Sequence, residues 1–147
     1  MEFSVPDPHY EQRVRESFGR QPMMATLGVV ITRLEPGMVD LEFDHREQFT
    51  QQHGFTHAGV IATVLDSACG YAAFSLMPTD AAVLTVEYKV NLLRPARAHR
   101  YRASAVVTKQ GRTLTVCQAT ASPVDDDQAI AVMTGTLMSL VDASIDH

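Results

Sequence analysis

Between Ala58 and Phe74 the chain carries one charge, Asp66, in a run otherwise made of apolar and small residues. A stretch of that length and composition has to be enclosed, which limits the fold more than any other feature. Val60, Ile61, Val64, Leu65, Ala68, Cys69 and Ala72 recur at spacings of three and four. This predicts one broad apolar face on a helix from about Ala58 to Leu76. On the same wheel the opposite side holds Gly59, Ala62, Thr63, Asp66, Gly70 and Ala73, nearly all small. Such a helix is surrounded on all sides, as when a curved sheet wraps it and a further body approaches closely. Asp66 must then find hydrogen-bond partners or shift its pKa, because a bare carboxylate in an apolar interior is costly. Two readings stay open: an internal cap or pair, and a functional carboxylate.

The flanks read as strands. Pro8 to Arg20 spaces Tyr10, Val14 and Phe18 as a short amphipathic surface helix ending near Gly19 and Pro22. Residues 26–35 and 38–44 predict a hairpin around Pro36-Gly37, its second arm alternating Val39, Leu41 and Phe43 with Asp40, Glu42 and Asp44. Beyond the central helix, 82–93, 98–109, 112–121 and 129–140 again have period two. Gln110-Gly111 and Asp125-Asp126-Asp127 mark turns between them. The expected order is helix, two strands, central helix, four strands: one α+β domain over 1–147, with an N-terminal helical segment over 1–22 and a core over 26–141.

At 147 residues with 46% hydrophobic and 20% charged residues, that one domain can bury a core without disulfides or metal. Cys69 and Cys117 sit among apolar neighbours and read as small core residues in a reducing compartment. No signal-peptide pattern and no run of about 18 apolar residues occurs, so a cytoplasmic protein with no membrane association is expected. A formal charge of −5 argues against nucleic acid as a partner. The positive charge is nevertheless uneven. Lys89, Arg94, Arg97, Arg100, Arg102, Lys109 and Arg112 fall in one acid-free stretch that something anionic could meet. Solvated strand faces would give the same pattern.

Ahead of the central helix, QFTQQHGFTHAG brings Gln51, Gly54, Thr56, His57 and Gly59 to the helix N-terminus. Free N–H groups of Ala58 and Gly59 pointing from that end would suit a developing oxyanion. Equally, Thr56 or His57 could simply cap the helix. His53 and His57 are four apart, but Gly54 interrupts any helix there and no HExxH follows, so no metal is expected. No GxSxG occurs, and neither cysteine has a basic neighbour that would activate it.

In these residues the chain resembles the hotdog-fold thioesterases of the phenylacetate-degradation (PaaI-like) type, over about Gly28 to Leu140. The family pattern is an Asn or Gln, a Gly three residues on, His-Gly-Gly, and an Asp or Glu nine residues after that His. It reads here as Gln51, Gly54, His57-Ala58-Gly59 and Asp66, and VLTVEYKVNLLRPA and VTKQGRTLTVCQA match later segments in order. The resemblance implies a hotdog fold, a long helix wrapped by an antiparallel sheet. It also implies hydrolysis of acyl-CoA or aryl-CoA thioesters in a dimer or tetramer with its site at a subunit interface. Coenzyme A enters as part of the substrate, and no cofactor is expected.

Carried over by position, the resemblance implies that the Ala58 N–H polarises the thioester carbonyl and that Asp66 activates water or attacks directly. It also implies that Thr85 helps to hold that water and that Gln51 faces the reacting centre, with His57 and Gly59 in the same loop. Ala58 replaces the first Gly of His-Gly-Gly: the donor is retained, but its Cβ narrows the channel. Gly54, Arg94, Arg97 and Arg112 are candidates for substrate binding, the arginines because guanidinium forks suit the phosphates of coenzyme A. The alternatives are a hotdog enoyl-CoA hydratase or dehydratase, whose His-Phe-Pro-Gly loop is absent here, and a non-catalytic acyl-CoA binding protein.

Overall fold

A computed structural model describes residues 3–141. Helices α1 (Tyr10–Gly19) and α2 (Pro22–Leu27) precede strands β1 (Val30–Glu35) and β2 (Met38–Asp44). A 3₁₀ turn at Glu47–Phe49 leads to the long helix α3 (Ala58–Phe74). Strands β3 (Ala82–Leu92), β4 (Arg100–Lys109), β5 (Leu114–Pro123) and β6 (Ala131–Leu140) follow. The strands form one antiparallel sheet in the order β1-β2-β4-β5-β6-β3. With α3 laid across its concave face, this is the expected hotdog fold.

The expected elements are present, with one local exception. Residues 26 and 27, expected to open the first strand, close α2 instead. Pro22 stands at the start of α2, where a missing N–H costs nothing, and Gly28 ends it in the left-handed region at φ 68°. Gly37 (φ 74°) closes the β1–β2 turn.

The core lies between α3 and the sheet. Ile61, Val64, Leu65, Ala68, Cys69 and Ala72 are buried against inward residues that include Leu41, Phe43, Tyr101, Val107, Met133 and Leu137. Burying each large apolar side chain contributes roughly 1.5–3 kcal/mol. The middle strands present Ala103, Ala105, Ala119 and Ala121 to the helix, and a Cβ at Gly135 would meet the Cys69 Cβ at 3.8 Å, so α3 sits close. Cys117 Sγ lies 3.5 Å from the Cys69 carbonyl, and contact with Cys117 together with burial pushes the Cys69 thiol far up. Both cysteines are free and buried. The small face of α3 is not uniformly outward as the wheel suggested. Ala62 and Ala73 are buried within the chain, whereas Gly59 is exposed and Thr63, Asp66 and Gly70 are half-buried.

The N-terminal segment is fastened to the far end of α3. Arg13 donates to the carbonyls of Phe74 (3.1 Å), Met77 (2.7 Å) and Pro78 (2.6 Å), satisfying acceptors that a helix C-terminus leaves open. Its Nε lies 2.8 Å from the carboxylate of the buried Asp7.

Candidate active site

Asp66 lies halfway along α3, on the side turned toward β3. Thr85 Oγ1 donates to Asp66 Oδ1 at 2.8 Å. A bulge at Val86 shifts the β3–β6 register between Thr85 and Glu87, so Thr85 and Tyr88, three apart, both turn toward the helix. Burial raises the Asp66 pKa above the ordinary aspartate value, and the Thr85 hydrogen bond opposes this rise. No cation pairs with Asp66 among the described residues, so its second oxygen is free to take a proton from a bound molecule.

The loop before α3 is held by backbone bonds from His57 N–H to the Phe49 carbonyl (2.8 Å) and from Thr56 N–H to the Ala96 carbonyl (3.0 Å). His57 is the N-cap. Its Nδ1 accepts the Gly59 N–H at 2.8 Å. The Gly59 donor, expected to be free for an oxyanion, is thus occupied. A Cβ at this glycine would lie only 3.0 Å from Nδ1, so Gly59 lets the imidazole close down on the backbone. The Ala58 N–H has no partner among the described residues.

Ala58 opens onto a cleft of about 480 Å³ whose walls include Gln51, Phe55, Ile61, Leu92, Arg94 and Ile130. The Gln51 carbonyl oxygen of the side chain accepts the His53 N–H, leaving its amide nitrogen available to the cleft. Gly54 (φ 82°), a candidate for substrate binding, lies outside the Ala58 and Asp66 clefts and closes the Gln51–Gly54 turn, where its N–H bonds the Gln51 carbonyl at 3.0 Å. Asp66 and Thr85 belong to a second cleft of about 370 Å³ on the other side of α3.

The basic residues divide. Arg100 reaches Glu42 (2.9 Å) and Asp44 (2.7 Å), and Arg102 reaches Glu42 (2.9 Å), acids from a neighbouring strand that the acid-free stretch does not reveal. Arg94 lines the Ala58 cleft and bonds Gln128. Arg97 lies 4.8 Å over the Phe55 ring. Arg112 is in the β4–β5 turn, beside the opposite end of the sheet where β3 begins. One chain therefore does not bring the three candidate arginines together.

A polar set that the sequence did not single out lines the Asp66 cleft: Ser17, Arg20 and Gln21 from the α1–α2 corner, with Ser67 and Tyr71 from α3. No spacing from Asp66 marks this set, because Ser67 and Tyr71 fall one and five residues on and the other three come from the N-terminal segment. No group of three His, Cys, Asp or Glu residues among the described residues is arranged to hold a metal.

A long helix wrapped by a sheet, with a half-buried carboxylate at its middle and an open N–H at its start, is the hotdog arrangement, and the comparisons with known proteins agree with it. The thioesterase superfamily model matches residues 53–130. A thioesterase family protein of Silicibacter pomeroyi is 58% identical, with a TM-score of 0.88 over 90% of this chain and 99% of its own. A candidate esterase of Halobacterium salinarum is 32% identical over 73% of this chain and 74% of its own. The Escherichia coli PaaI protein from the phenylacetic acid degradation operon, at 20% identity, shares the fold with a TM-score of 0.83 over 93% and 96% of the two chains. The chain belongs to the thioesterase superfamily. Membership supports a hydrolase acting on small-molecule thioesters. Among the described residues no helix is long and apolar enough to cross a membrane.

Proposed function

We propose that the chain hydrolyses acyl-CoA or aryl-CoA thioesters to free acid and coenzyme A, at a site assembled from two copies. The observation that carries this reading is the separation of its two reactive features on one helix. Asp66 is eight residues beyond Ala58, about 12 Å along the axis, too far for one thioester carbonyl to meet both in one chain. A second copy closes the gap. β3 is an edge strand with Val86 51% and Leu92 55% exposed, together with Leu84, Tyr88 and Leu93, more apolar surface than an edge strand leaves in water. Antiparallel pairing of β3 with its own copy would bring the Thr85–Asp66 end of one chain toward the Leu92–Ala58 end of the other.

In that site the Ala58 N–H binds the carbonyl oxygen. Asp66 of the second copy takes a proton from water as the water oxygen bonds to the carbonyl carbon. Collapse of the tetrahedral oxyanion breaks the C–S bond, and the coenzyme A thiolate leaves and is protonated. Direct attack by the Asp66 carboxylate, followed by hydrolysis of the anhydride, gives the same products. Arg94 and Arg97 flank the Ala58 cleft, and Arg112 would arrive from the second copy, so all three could meet the phosphates of one coenzyme A. Two free thiols and a coenzyme A substrate fit a cytoplasmic setting.

Asp66→Asn tests the reading. Loss of at least about a hundredfold in kcat with cooperative unfolding retained is expected, since the amide keeps the shape and loses the base. A folded variant with full turnover would overturn it. The two-copy site has its own test, because proline is tolerated at the first helical position and Ala58→Pro removes only the N–H. Equal mixtures of Asp66→Asn and Ala58→Pro chains should recover about a quarter of the parental activity, through heterodimers with one intact site.

A further inference from the structure

The cleft beside Asp66 has two unlike ends. At one stand Asp66 and Thr85; at the other the α1–α2 corner brings Ser17, Arg20 and Gln21 over Tyr71. The polar groups there are only loosely satisfied by one another. Ser17 Oγ and Gln21 Nε2 each lie 3.4 Å from the Tyr71 hydroxyl, and Ser67 Oγ donates to Gln21 Oε1 at 3.2 Å. The Arg20 guanidinium has no carboxylate partner among the described residues, and its charge opposes the rise that burial imposes on the Tyr71 pKa. With Gln21 Oε1 already accepting, what this end offers a ligand is chiefly donors: a guanidinium, an amide N–H and hydroxyls. A site rich in donors around an unpaired guanidinium suits an oxygen anion.

The wall between the two ends is open. Gly70 stands one helical turn beyond Asp66, and nothing lies within 4 Å of where its Cβ would be. Tyr71 is five residues beyond Asp66, about 7.5 Å along the helix, the length of an extended acyl chain of about six carbons. We propose that this cleft is the acyl subsite and that it selects thioesters whose acyl chain ends in a carboxylate, the monothioesters of dicarboxylic acids. Their carboxylate is held by Arg20, Gln21 and Tyr71 while the thioester carbon stands at Asp66. The assignment rests on Asp66 being the reacting end of the cleft.

The experiment compares the coenzyme A thioesters of hexanoic, 6-hydroxyhexanoic and hexanedioic acids on the full chain, reading the ratio of their kcat/KM values. The parent should favour the hexanedioyl ester over the hexanoyl ester by at least about tenfold, and Arg20→Met should bring that ratio to about one. Gly70→Leu fills the open wall and should lower the ratio of hexanedioyl to acetyl thioester use by at least about tenfold. Thermal unfolding of each variant shows that the chain is folded, and Gly70→Ala is the milder substitute should Gly70→Leu fail to fold. A parent that uses the three six-carbon esters alike, or prefers the hydroxy ester with no effect of Arg20→Met, overturns the proposal. Asp66→Asn in the same assay separates the two ideas: turnover lost there with no selectivity among the esters sinks only the acyl subsite, whereas turnover retained sinks the catalytic assignment on which it rests.

Discussion

The proton on Asp66 is subject to opposing influences, and they fix how the protein should respond to pH. Burial raises its pKa and the Thr85 hydrogen bond lowers it, with burial the stronger. A carboxyl whose folded pKa exceeds its unfolded pKa holds its proton longer in the folded chain. Stability from this group is then greatest below the unfolded value and declines as pH rises through the folded one. Asp66→Asn should therefore gain stability relative to the parent as pH is raised from acid to neutral, as measured by urea unfolding across that range. The acid limb of kcat/KM should have an apparent pKa above the ordinary aspartate value. Glu42 behaves oppositely. Burial would raise its pKa, but hydrogen bonds from Arg100 and Arg102 outweigh this and lower it, so its contribution is present at neutral pH and lost as pH falls through its folded pKa. At this scale the sequence revealed a great deal: a lone carboxylate in an enclosed helix had to be partnered or perturbed, and Thr85 came from the family pattern. That His57 takes up the Gly59 N–H was legible only as one of two open readings, because a helix start that can bind an anion can also be capped by its own loop.

Among the elements, the strands follow from period-two alternation, and β2 begins and ends where its alternating residues do. α2 was missed because Thr26 and Leu27 join smoothly onto the β-branched run that follows them. Pro22 and Gly28 were the available boundary signals. Strand register was not legible at all, so the pairing of Arg100 and Arg102 with Glu42 could not be anticipated and the basic stretch looked freer than it is. β3, like the other edge strand β1, is exposed along most of its length, but it is the longer of the two. Tyr88, 44% exposed near its middle, would face its own counterpart across a two-fold axis, so Tyr88→Lys sets like charges against each other. This variant should sediment as a folded monomer and lose at least about a hundredfold in activity. An active dimer would move the interface elsewhere.

For the whole molecule, the proposed reading assigns the coenzyme to the Ala58 cleft and the acyl group to the Asp66 cleft on the other side of α3. If Arg94 and Arg112 meet the coenzyme phosphates, Arg94→Ala and Arg112→Ala should each raise KM for a coenzyme A ester about three- to tenfold, or about 0.7–1.4 kcal/mol, while leaving the matching pantetheine ester unaffected. Rising salt should narrow the gap between the two substrates. That arginines from opposite ends of the sheet could serve one ligand depends on three-dimensional assembly, and nothing in their spacing suggests it. The α1–α2 corner, fastened by Arg13 to the carbonyls beyond α3, has a different consequence. Ser17, Arg20 and Gln21 all lie ahead of β1, while Gln51, Ala58, Asp66 and Thr85 come later in the chain. On the proposed reading, part of the acyl end is thus supplied by a stretch that closes at Gly28, while Gly70 and Tyr71 of the same cleft come from α3 with the reacting carboxylate. A chimera that borrows its first 28 residues from a relative should therefore shift its taste in acyl groups toward the donor's while keeping its own chemistry.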